Sequence, residues 1–196
     1  MPTLPLVVAI LAVLSYIFLL QLVLRRSAVG ALRRAFVVFL VCMTVWTLGS
    51  LLARLDPSHA REWIIFAQVG NSLGLPLATF NFVRRFTGRE RARWWSVVGV
   101  VGLIAALIAM MQGTIDSIAV TREGLIELTY LPTMNVLGAY WILFIGMSAG
   151  DLAIAYRQAT DDVRRNRLRY PLIAIGLIFL GAMTNGLPAL RRLPVD

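Results

Sequence analysis

The segment LPLVVAILAVLSYIFLLQLVLRR, residues 4–26, decides the fold. Residues 4–24 carry no charged side chain, and Arg25 and Arg26 follow at once. A membrane-spanning helix needs about 20 predominantly apolar residues, so this run is long enough to cross a bilayer. A secretory signal peptide has basic residues before its apolar run, and here the basic residues come after it. The segment is therefore predicted to be an uncleaved transmembrane helix.

The composition of the whole chain agrees with a membrane environment. The 196 residues are 59% hydrophobic and 15% charged, with a mean hydropathy of +0.77. A soluble domain of this length is far less apolar. The net charge of +9 would suggest nucleic acid as the partner of a soluble protein. In a membrane protein, cytoplasmic loop charge and anionic headgroups account for it, so the expected partner is the lipid bilayer and not nucleic acid.

Five more apolar runs follow the first one. The predicted helices cover residues 4–24, 35–52, 63–83, 94–111, 136–155 and 171–187. The third is the most polar, and Pro76 is expected to kink it. The sixth begins at Pro171, because proline is tolerated in the first turn of a helix. Residues 1–196 are thus predicted to form a single transmembrane domain.

The arginines orient this domain. All 19 basic residues are arginine, and 14 of them lie in the segments 25–34, 84–93 and 157–169. The connections 55–62 and 112–135 are poor in arginine. Because positive loops stay on the cytoplasmic side, the N-terminus is predicted to lie outside the cytoplasm. Aromatic residues near the span ends, such as Trp63 and Tyr140, are expected at the headgroup level.

The longest connection lies between the fourth and fifth helices. Within it, residues 118–130 alternate between apolar and polar side chains around Arg122, Glu123 and Gly124, which predicts an external β-hairpin. The alternative is a disordered loop. The predicted fold class is therefore an all-α integral membrane protein, a six-helix transmembrane bundle with its N-terminus outside and a small external β-hairpin.

Several short patterns resemble a known family. They are Val45-Trp46-Thr47-Leu48-Gly49, the run from Trp63 to Pro76, Phe86-Thr87-Gly88, Tyr140-Trp141 and Thr184-Asn185-Gly186-Leu187-Pro188. Together they resemble the N-terminal seven-helix membrane region of bacterial sensor histidine kinases, which also precedes diguanylate cyclases. The resemblance covers roughly residues 35–196.

The resemblance implies a sensory domain. Such a domain lies in the bacterial cytoplasmic (inner) membrane and relays an extracytoplasmic or membrane signal to a cytoplasmic kinase or cyclase module. The resemblance also implies a homodimer. A seventh helix is expected to follow Asp196. The chain has no kinase histidine motif and no glycine-rich nucleotide box. These residues are therefore predicted to have no enzymatic activity and no catalytic residues.

Metal and cofactor sites are not expected either. Cys42 is the only cysteine, so one copy of the chain forms neither a disulfide nor a zinc cluster. His59 is the only histidine and cannot supply paired axial ligands to a haem. His59 is read as a solvated loop residue.

Polar residues in the spans are the candidates for ligand binding. Gln68 and Asn71 are three residues apart and share a helix face. With Asn185 of the sixth helix, they are predicted to border an outward-opening cavity for an unknown small ligand. The alternative is a set of interhelical hydrogen bonds that serve packing, since an amide needs a partner in hydrocarbon. Gly70 and Gly74 fit the close-packing pattern of membrane helices.

Two charged features have a functional and a structural interpretation. Arg164, Arg165, Arg167 and Arg169 are predicted to contact anionic lipid or a cytoplasmic partner, although topology alone also explains them. Asp151 is the acidic residue drawn toward a span, so proton handling is one interpretation. Pairing with a loop arginine is the other.

Two further functions are alternatives to the sensor. One is a non-catalytic subunit of a larger membrane complex. The other is a small transporter, which usually shows internal repeats and matching broken helices. No repeat relates the first three helices to the last three.

Overall fold

The computed structural model describes residues 3–25, 30–89, 94–120 and 126–186. These residues are mostly helical, with one small two-stranded sheet. The helices are α1 Thr3–Arg25, α2 Ala31–Leu55, α3 Ala60–Gln68, α4 Leu75–Thr87, α5 Trp94–Met111, α6 Met134–Gln158 and α7 Asp162–Gly186. The strands are β1 Ile115–Val120 and β2 Ile126–Tyr130. A π-helical turn, Val69–Gly74, joins α3 to α4, and a 3-10 turn, Pro57–His59, precedes α3.

Several helices have the length and composition of membrane spans. Within the described ranges, four helical segments qualify, namely Leu6–Arg25, Ala31–Leu55, Pro57–Thr87 and Met134–Gln158. The apolar helix Trp95–Met111 is shorter. The prediction of several apolar helices of membrane-spanning length is therefore confirmed.

The start of α7 differs from the sequence prediction. Pro171 lies inside the helix, which already begins at Asp162. The carboxylate of Asp161 accepts hydrogen bonds from the backbone N–H groups of Val163 and Arg164, both at 3.2 Å. This side-chain cap satisfies donors that a new helix leaves free, so the helix starts nine residues before the proline.

The helices form two groups that meet at the centre. The α2 helix packs against α1, α3 and α4, and α6 packs against α4, α5 and α7. In the most apolar 18-residue stretch of Pro57–Thr87, 61% of the residues are buried, whereas in that of Leu6–Arg25 in α1 only 6% are buried. The third predicted span is thus the most buried one, and α1 makes its main contacts with α2.

Glycines bring the central span close to α2. A Cβ on Gly49 would lie 2.8 Å from the backbone nitrogen of Ala67, and a Cβ on Gly70 would lie 2.6 Å from the carbonyl oxygen of Cys42. Gly74 faces the Cys42 thiol in the same way. A side chain at Gly49 or Gly70 would collide with backbone, and one at Gly74 would collide with the Cys42 thiol, so small residues are required for this approach. The Gly70 and Gly74 pattern therefore serves packing inside this bundle.

The predicted hairpin is present. Strands β1 and β2 are antiparallel, with Ile118 opposite Leu128. The first strand begins at Ile115, three residues earlier than predicted, and the residues of the predicted turn, 121–125, lie outside the described ranges. Ile115 is buried against Ala53, Ala60 and Ile64. The hairpin therefore covers the α2–α3 connection, and this end of the bundle is called the hairpin end.

The opposite end holds most of the arginines, and it is called the arginine-rich end. There the side chain of Arg33 in α2 donates a hydrogen bond of 2.6 Å to the carbonyl oxygen of Leu24, near the end of α1. The α4 helix ends at Gly88, whose φ of 69° is readily adopted by glycine. Arg84 and Arg85 lie in the last turn of α4, where the helix dipole stabilises positive charge.

Candidate functional site

The central span changes its helical geometry in the middle of the bundle. Across the π-helical turn, the N–H of Leu75 bonds to the carbonyl oxygen of Gly70, five residues earlier. Pro76 follows directly and has no N–H to continue the regular ladder. Widening the preceding turn accommodates the ring, which would otherwise meet the carbonyl of the residue four positions earlier. Such π-turns are frequent at functional sites.

Gln68 lies at the start of this turn. Its side chain is 6% exposed, and its Oε1 accepts a hydrogen bond of 2.7 Å from the hydroxyl of Thr114. Thr114 is also buried, and it immediately precedes β1. The bond therefore ties the central span to the hairpin. It is an internal contact of the kind that the packing interpretation of Gln68 requires.

The other two residues of the predicted ligand cavity are placed differently. Asn71 lies in the π-helical turn and is partly exposed. Asn185 lies in α7, at a position whose side chain is outside the described part of the structure. The structure thus puts Gln68 and Asn71 on one turn and says nothing of how Asn185 faces them. Their role in ligand binding stays a prediction.

Tyr140 also contacts the π-helical turn. It is 5% exposed, and its hydroxyl donates a hydrogen bond of 3.1 Å to the carbonyl oxygen of Leu73. Gly102 of α5 leaves room for its ring, because a Cβ there would lie 2.9 Å from it. Tyr140 is thus a core residue of the bundle, and its expected position at the headgroup level stays a prediction. The aromatic pattern of the sequence did not reveal that its hydroxyl bonds the backbone of the central span.

Asp151 lies near the arginine-rich end of α6. Its side chain is 1% exposed, and its Oδ1 is 3.5 Å from Nη1 of Arg89, whose side chain is 36% exposed. Arg89 immediately follows Gly88, so the left-handed conformation that ends α4 also places this arginine beside Asp151 of α6. Pairing with a loop arginine is the geometry that the second interpretation of Asp151 expected. The carboxylate is more buried than its distance from the helix end suggested.

The four predicted contact arginines, Arg164, Arg165, Arg167 and Arg169, are exposed on the first turns of α7. The Arg165 guanidinium lies over the ring of Tyr156, 5.0 Å from its centroid. This cation–π contact ties the start of α7 to the end of α6. The remaining positive charge faces outward, as contact with anionic headgroups requires, and that contact stays a prediction.

A polar cluster precedes α3 at the hairpin end. The Asp56 carboxylate accepts hydrogen bonds from the Ser58 hydroxyl and, at 3.3 Å, from the indole N–H of Trp63. Nδ1 of His59 lies 2.9 Å from the same carboxylate. The Ser58 bond first, and then the Trp63 bond, lower the pKa of Asp56 to about 2. The cluster holds the α2–α3 turn, and His59 remains largely exposed.

Cavities lie between helices in the described part of the structure, and two of them are relevant here. One of about 340 Å³ lies among α2, α4, α6 and α7, and one of about 380 Å³ lies between α5 and α6. Neither is lined by Gln68 or Asn71. The cavity of about 380 Å³ has no polar side chain in its wall apart from Tyr140, whose hydroxyl is bonded to the carbonyl oxygen of Leu73. The wall of the cavity of about 340 Å³ includes Thr79 and Arg167.

The described residues contain no group of three or more histidine, cysteine, aspartate or glutamate side chains that could hold a metal ion. The chain matches no protein-family model, no curated protein and no solved structure. What the structure defines is a mostly helical protein with several helices long enough to span a membrane.

Proposed function

We propose that this protein is a membrane-embedded sensory domain that relays an extracytoplasmic or membrane signal to a cytoplasmic kinase or cyclase module. In this proposal six helices cross a bacterial inner membrane, and the N-terminus and the hairpin lie outside. The arginine-rich end faces the cytoplasm, as the positive-inside rule favours. The 196 residues transmit the signal and carry out no catalytic step.

The observation that supports the proposal is the connection of both ends through one helical segment. At the hairpin end, Gln68 is hydrogen-bonded to Thr114, which precedes β1. At the arginine-rich end, the turn after α4 carries Arg89, which contacts Asp151 of α6. The π-helical turn lies between these two contacts. A displacement of the hairpin thus has a direct route to the far end.

The π-helical turn supplies an element with two arrangements. Converting five-residue hydrogen bonds to the four-residue ladder, with the helix kinked at Pro76 so that the ring avoids the preceding carbonyl, moves the register of α4 by one residue. One residue of an α-helix corresponds to a rotation of about 100° and a rise of about 1.5 Å. Such a local change in helix geometry is large enough to separate or rejoin Arg89 and Asp151. A signal has to favour one arrangement energetically over the other.

A distance measurement tests this coupling. Spin labels are placed on cysteines at Arg85 and Gln158, which are exposed near the ends of α4 and α6, in a Cys42→Ala background. Thr114→Val removes the hydroxyl that bonds Gln68 at the other end. The double variant Thr114→Val with Gln68→Leu removes both partners, so that no buried amide is left unpaired. The proposal expects both variants to shift the Arg85–Gln158 distance distribution.

The matched control is Thr129→Val, the same chemical change at an exposed position of β2. It is expected to leave the distance distribution unchanged. If the Gln68 and Thr114 variants are folded and their distributions equal those of the parent and the control, the two ends are not coupled. The proposed relay is then wrong, and the membrane-complex subunit becomes the better explanation.

A further inference from the structure

The cavity of about 340 Å³ is an elongated groove. Its wall on α4 consists of Leu75, Thr79, Phe82 and Phe86, and its wall on α7 consists of Arg167, Pro171, Ala174, Ile175 and Ile178. Apart from the adjacent Ala174 and Ile175, these positions recur every three or four residues on each helix and so follow a single face. They extend over eleven residue steps, or about 16 Å, of each helix. Phe36 and Phe39 of α2 and Ile145 of α6 complete the wall.

The dimensions of the groove limit what fits it. A volume of about 340 Å³ spread along about 16 Å leaves a mean cross-section of roughly 20 Å². An α-helix with its side chains is about 10 Å wide, so a partner helix does not fit. The wall is formed by stacked rings, since Phe39 and Phe82 lie 5.9 Å apart between centroids with planes tilted by 26°. A single extended hydrocarbon chain matches both the width and the apolar wall.

Positive charge at one end of the groove indicates a ligand with an anionic head group. Arg167 lies on the cavity wall at the arginine-rich end, and its side chain is exposed. Exposed Arg164 and Arg169 lie within one turn of it on the same helix. These arginines would attract an anionic group at this end of the groove, and the described wall holds no acidic side chain that would repel it.

Thr79 marks a second polar point inside the groove. It is 2% exposed, and its hydroxyl has no hydrogen-bond partner in the described part of the chain. Other hydroxyls on these helices behave differently, since Thr44, Thr87 and Ser148 each donate to the carbonyl four residues earlier, at 2.7 to 2.8 Å. A buried hydroxyl without a partner is costly in an apolar surrounding. An acceptor oxygen on a molecule in the groove would remove that cost.

The two polar points are well separated. Thr79 lies eight residues, or about 12 Å along the helix, before the end of α4 at Thr87, and Arg167 lies on the groove wall at that same end of the bundle. An extended hydrocarbon chain advances about 1.25 Å per bond, so a rise of about 12 Å corresponds to roughly ten bonds, close to the eleven or so that join C1 to C12 of a fatty acid. We infer that the groove binds a long-chain carboxylate that carries a second oxygen near the middle of its chain. Arg167 pairs with the carboxylate, and the Thr79 hydroxyl donates to the mid-chain oxygen.

This binding site does not depend on the proposed signalling role. Its charged end lies at the arginine-rich end, its wall includes neither Gln68 nor Asn71, and direct binding measures it. A failure of the spin-label experiment would leave the binding result unchanged, and the reverse also holds.

The test compares stearate with 12-oxostearate, which adds one carbonyl oxygen to the same chain. The intact protein is placed in zwitterionic nanodiscs, and both acids compete with a fluorescent fatty acid. One net hydrogen bond predicts that 12-oxostearate binds about three- to tenfold more tightly than stearate. Octadecylamine, with a positive head, is expected to bind at least about tenfold more weakly than stearate.

Two variants assign the contacts. Thr79→Val keeps the side-chain shape and is expected to abolish the preference for 12-oxostearate while leaving stearate affinity within about twofold. Arg167→Gln is expected to weaken both acids about tenfold. The matched controls are Thr44→Val, whose hydroxyl bonds within α2, and Arg164→Gln, which lies outside the groove wall. Neither control is expected to change binding of either acid.

Ala174→Phe provides an independent check. Ala174 is an exposed residue of the groove wall, so a larger side chain there fills the groove without entering the core. It is expected to abolish displacement by both acids. The inference is overturned if stearate and 12-oxostearate bind equally and Thr79→Val has no effect. It is also overturned if neither acid binds the folded protein, as when another segment of the chain or a second copy covers the groove.

Discussion

Asp151 illustrates how a single residue can be charged and almost completely buried. The carboxylate is 1% exposed, and Arg89 reaches it from the turn after α4. Desolvating a charge costs several kcal/mol unless a partner compensates it. The ion pair therefore makes the position of α4 relative to α6 depend on the turn at Gly88.

Arg89→Ala should destabilise the protein through the carboxylate that it leaves behind. Removing Arg89 takes away a positive charge that compensates the buried carboxylate, so we expect a loss of about 2 kcal/mol in the free energy of unfolding. Chemical unfolding in mixed micelles measures this loss. The control Arg157→Ala changes an exposed arginine at the end of α6 and should cost less than about 0.5 kcal/mol. Equal effects of the two substitutions would show that the pair contributes nothing.

Asp56 predicts a pH dependence at the hairpin end. Its pKa falls from an ordinary value of 3.8 to about 2 in the folded protein, so the folded state favours the charged form. The stabilisation is fully present above about pH 4 and is lost as the pH falls through 2. Asp56→Asn should therefore lower the melting temperature at pH 5 and have no effect near pH 2. The control is Asp116→Asn, at an exposed site in β1. If it gives the same pH profile, the pH dependence of stability is not due to Asp56.

At the scale of single elements, the central span shows how a proline and several glycines act together. Pro76 removes a helix donor, the preceding turn widens to π geometry, and Gly70 and Gly74 let this widened turn approach α2. A standard α-helix at this position would place different residues against Cys42. The local geometry and the helix contact therefore depend on each other.

Gly70→Ala tests this dependence. The added Cβ would lie 2.6 Å from the Cys42 carbonyl oxygen and 2.7 Å from the Trp46 nitrogen, and backbone atoms cannot move aside easily. We expect a loss of about 2 kcal/mol in stability, measured by thermal unfolding in detergent. Gly138→Ala in α6 is the control, because nothing lies within 4 Å of its added Cβ. That control should be neutral or stabilise by up to about 1 kcal/mol, since alanine is the better helix former.

The sequence identified these elements well where the signal was local. The first five predicted spans lie within described helices, and the hairpin was found from the alternation of residues 118–130. The start of α7 was missed because the cap from Asp161 outweighs the usual preference of proline for the first turn. The π-helical turn was expected only as a kink at Pro76, since its geometry depends on contacts with α2 and on Tyr140 of α6.

For the whole molecule, the separation of the two ends is the main feature. The hairpin and the α2–α3 turn pack together at one end, and arginines from α2, α4 and α7 lie at the other. Apolar faces of α1 and α5 remain exposed between the ends, as hydrocarbon contact requires.

The proposed orientation predicts which end is accessible from outside the cell. In a Cys42→Ala background, a cysteine at Ser117 in β1 should react with an impermeant maleimide in intact cells. A cysteine at Thr160, between α6 and α7, should react only after the cells are permeabilised. Both positions are exposed in the structure, so a difference reports the side of the membrane. The reverse pattern of labelling would overturn the proposed topology.

The sequence alone determined that this is a helical protein with several apolar segments of membrane-spanning length, and it predicted the hairpin. These features follow from the transfer of apolar residues out of water and from patterns that repeat over a few residues. Only the tertiary structure brought Gln68 to Thr114, Arg89 to Asp151, and Thr79 and Arg167 to one groove. These partners are between 46 and 88 positions apart in the chain. Their meeting depends on which helix faces pack together, and no local pattern encodes that choice.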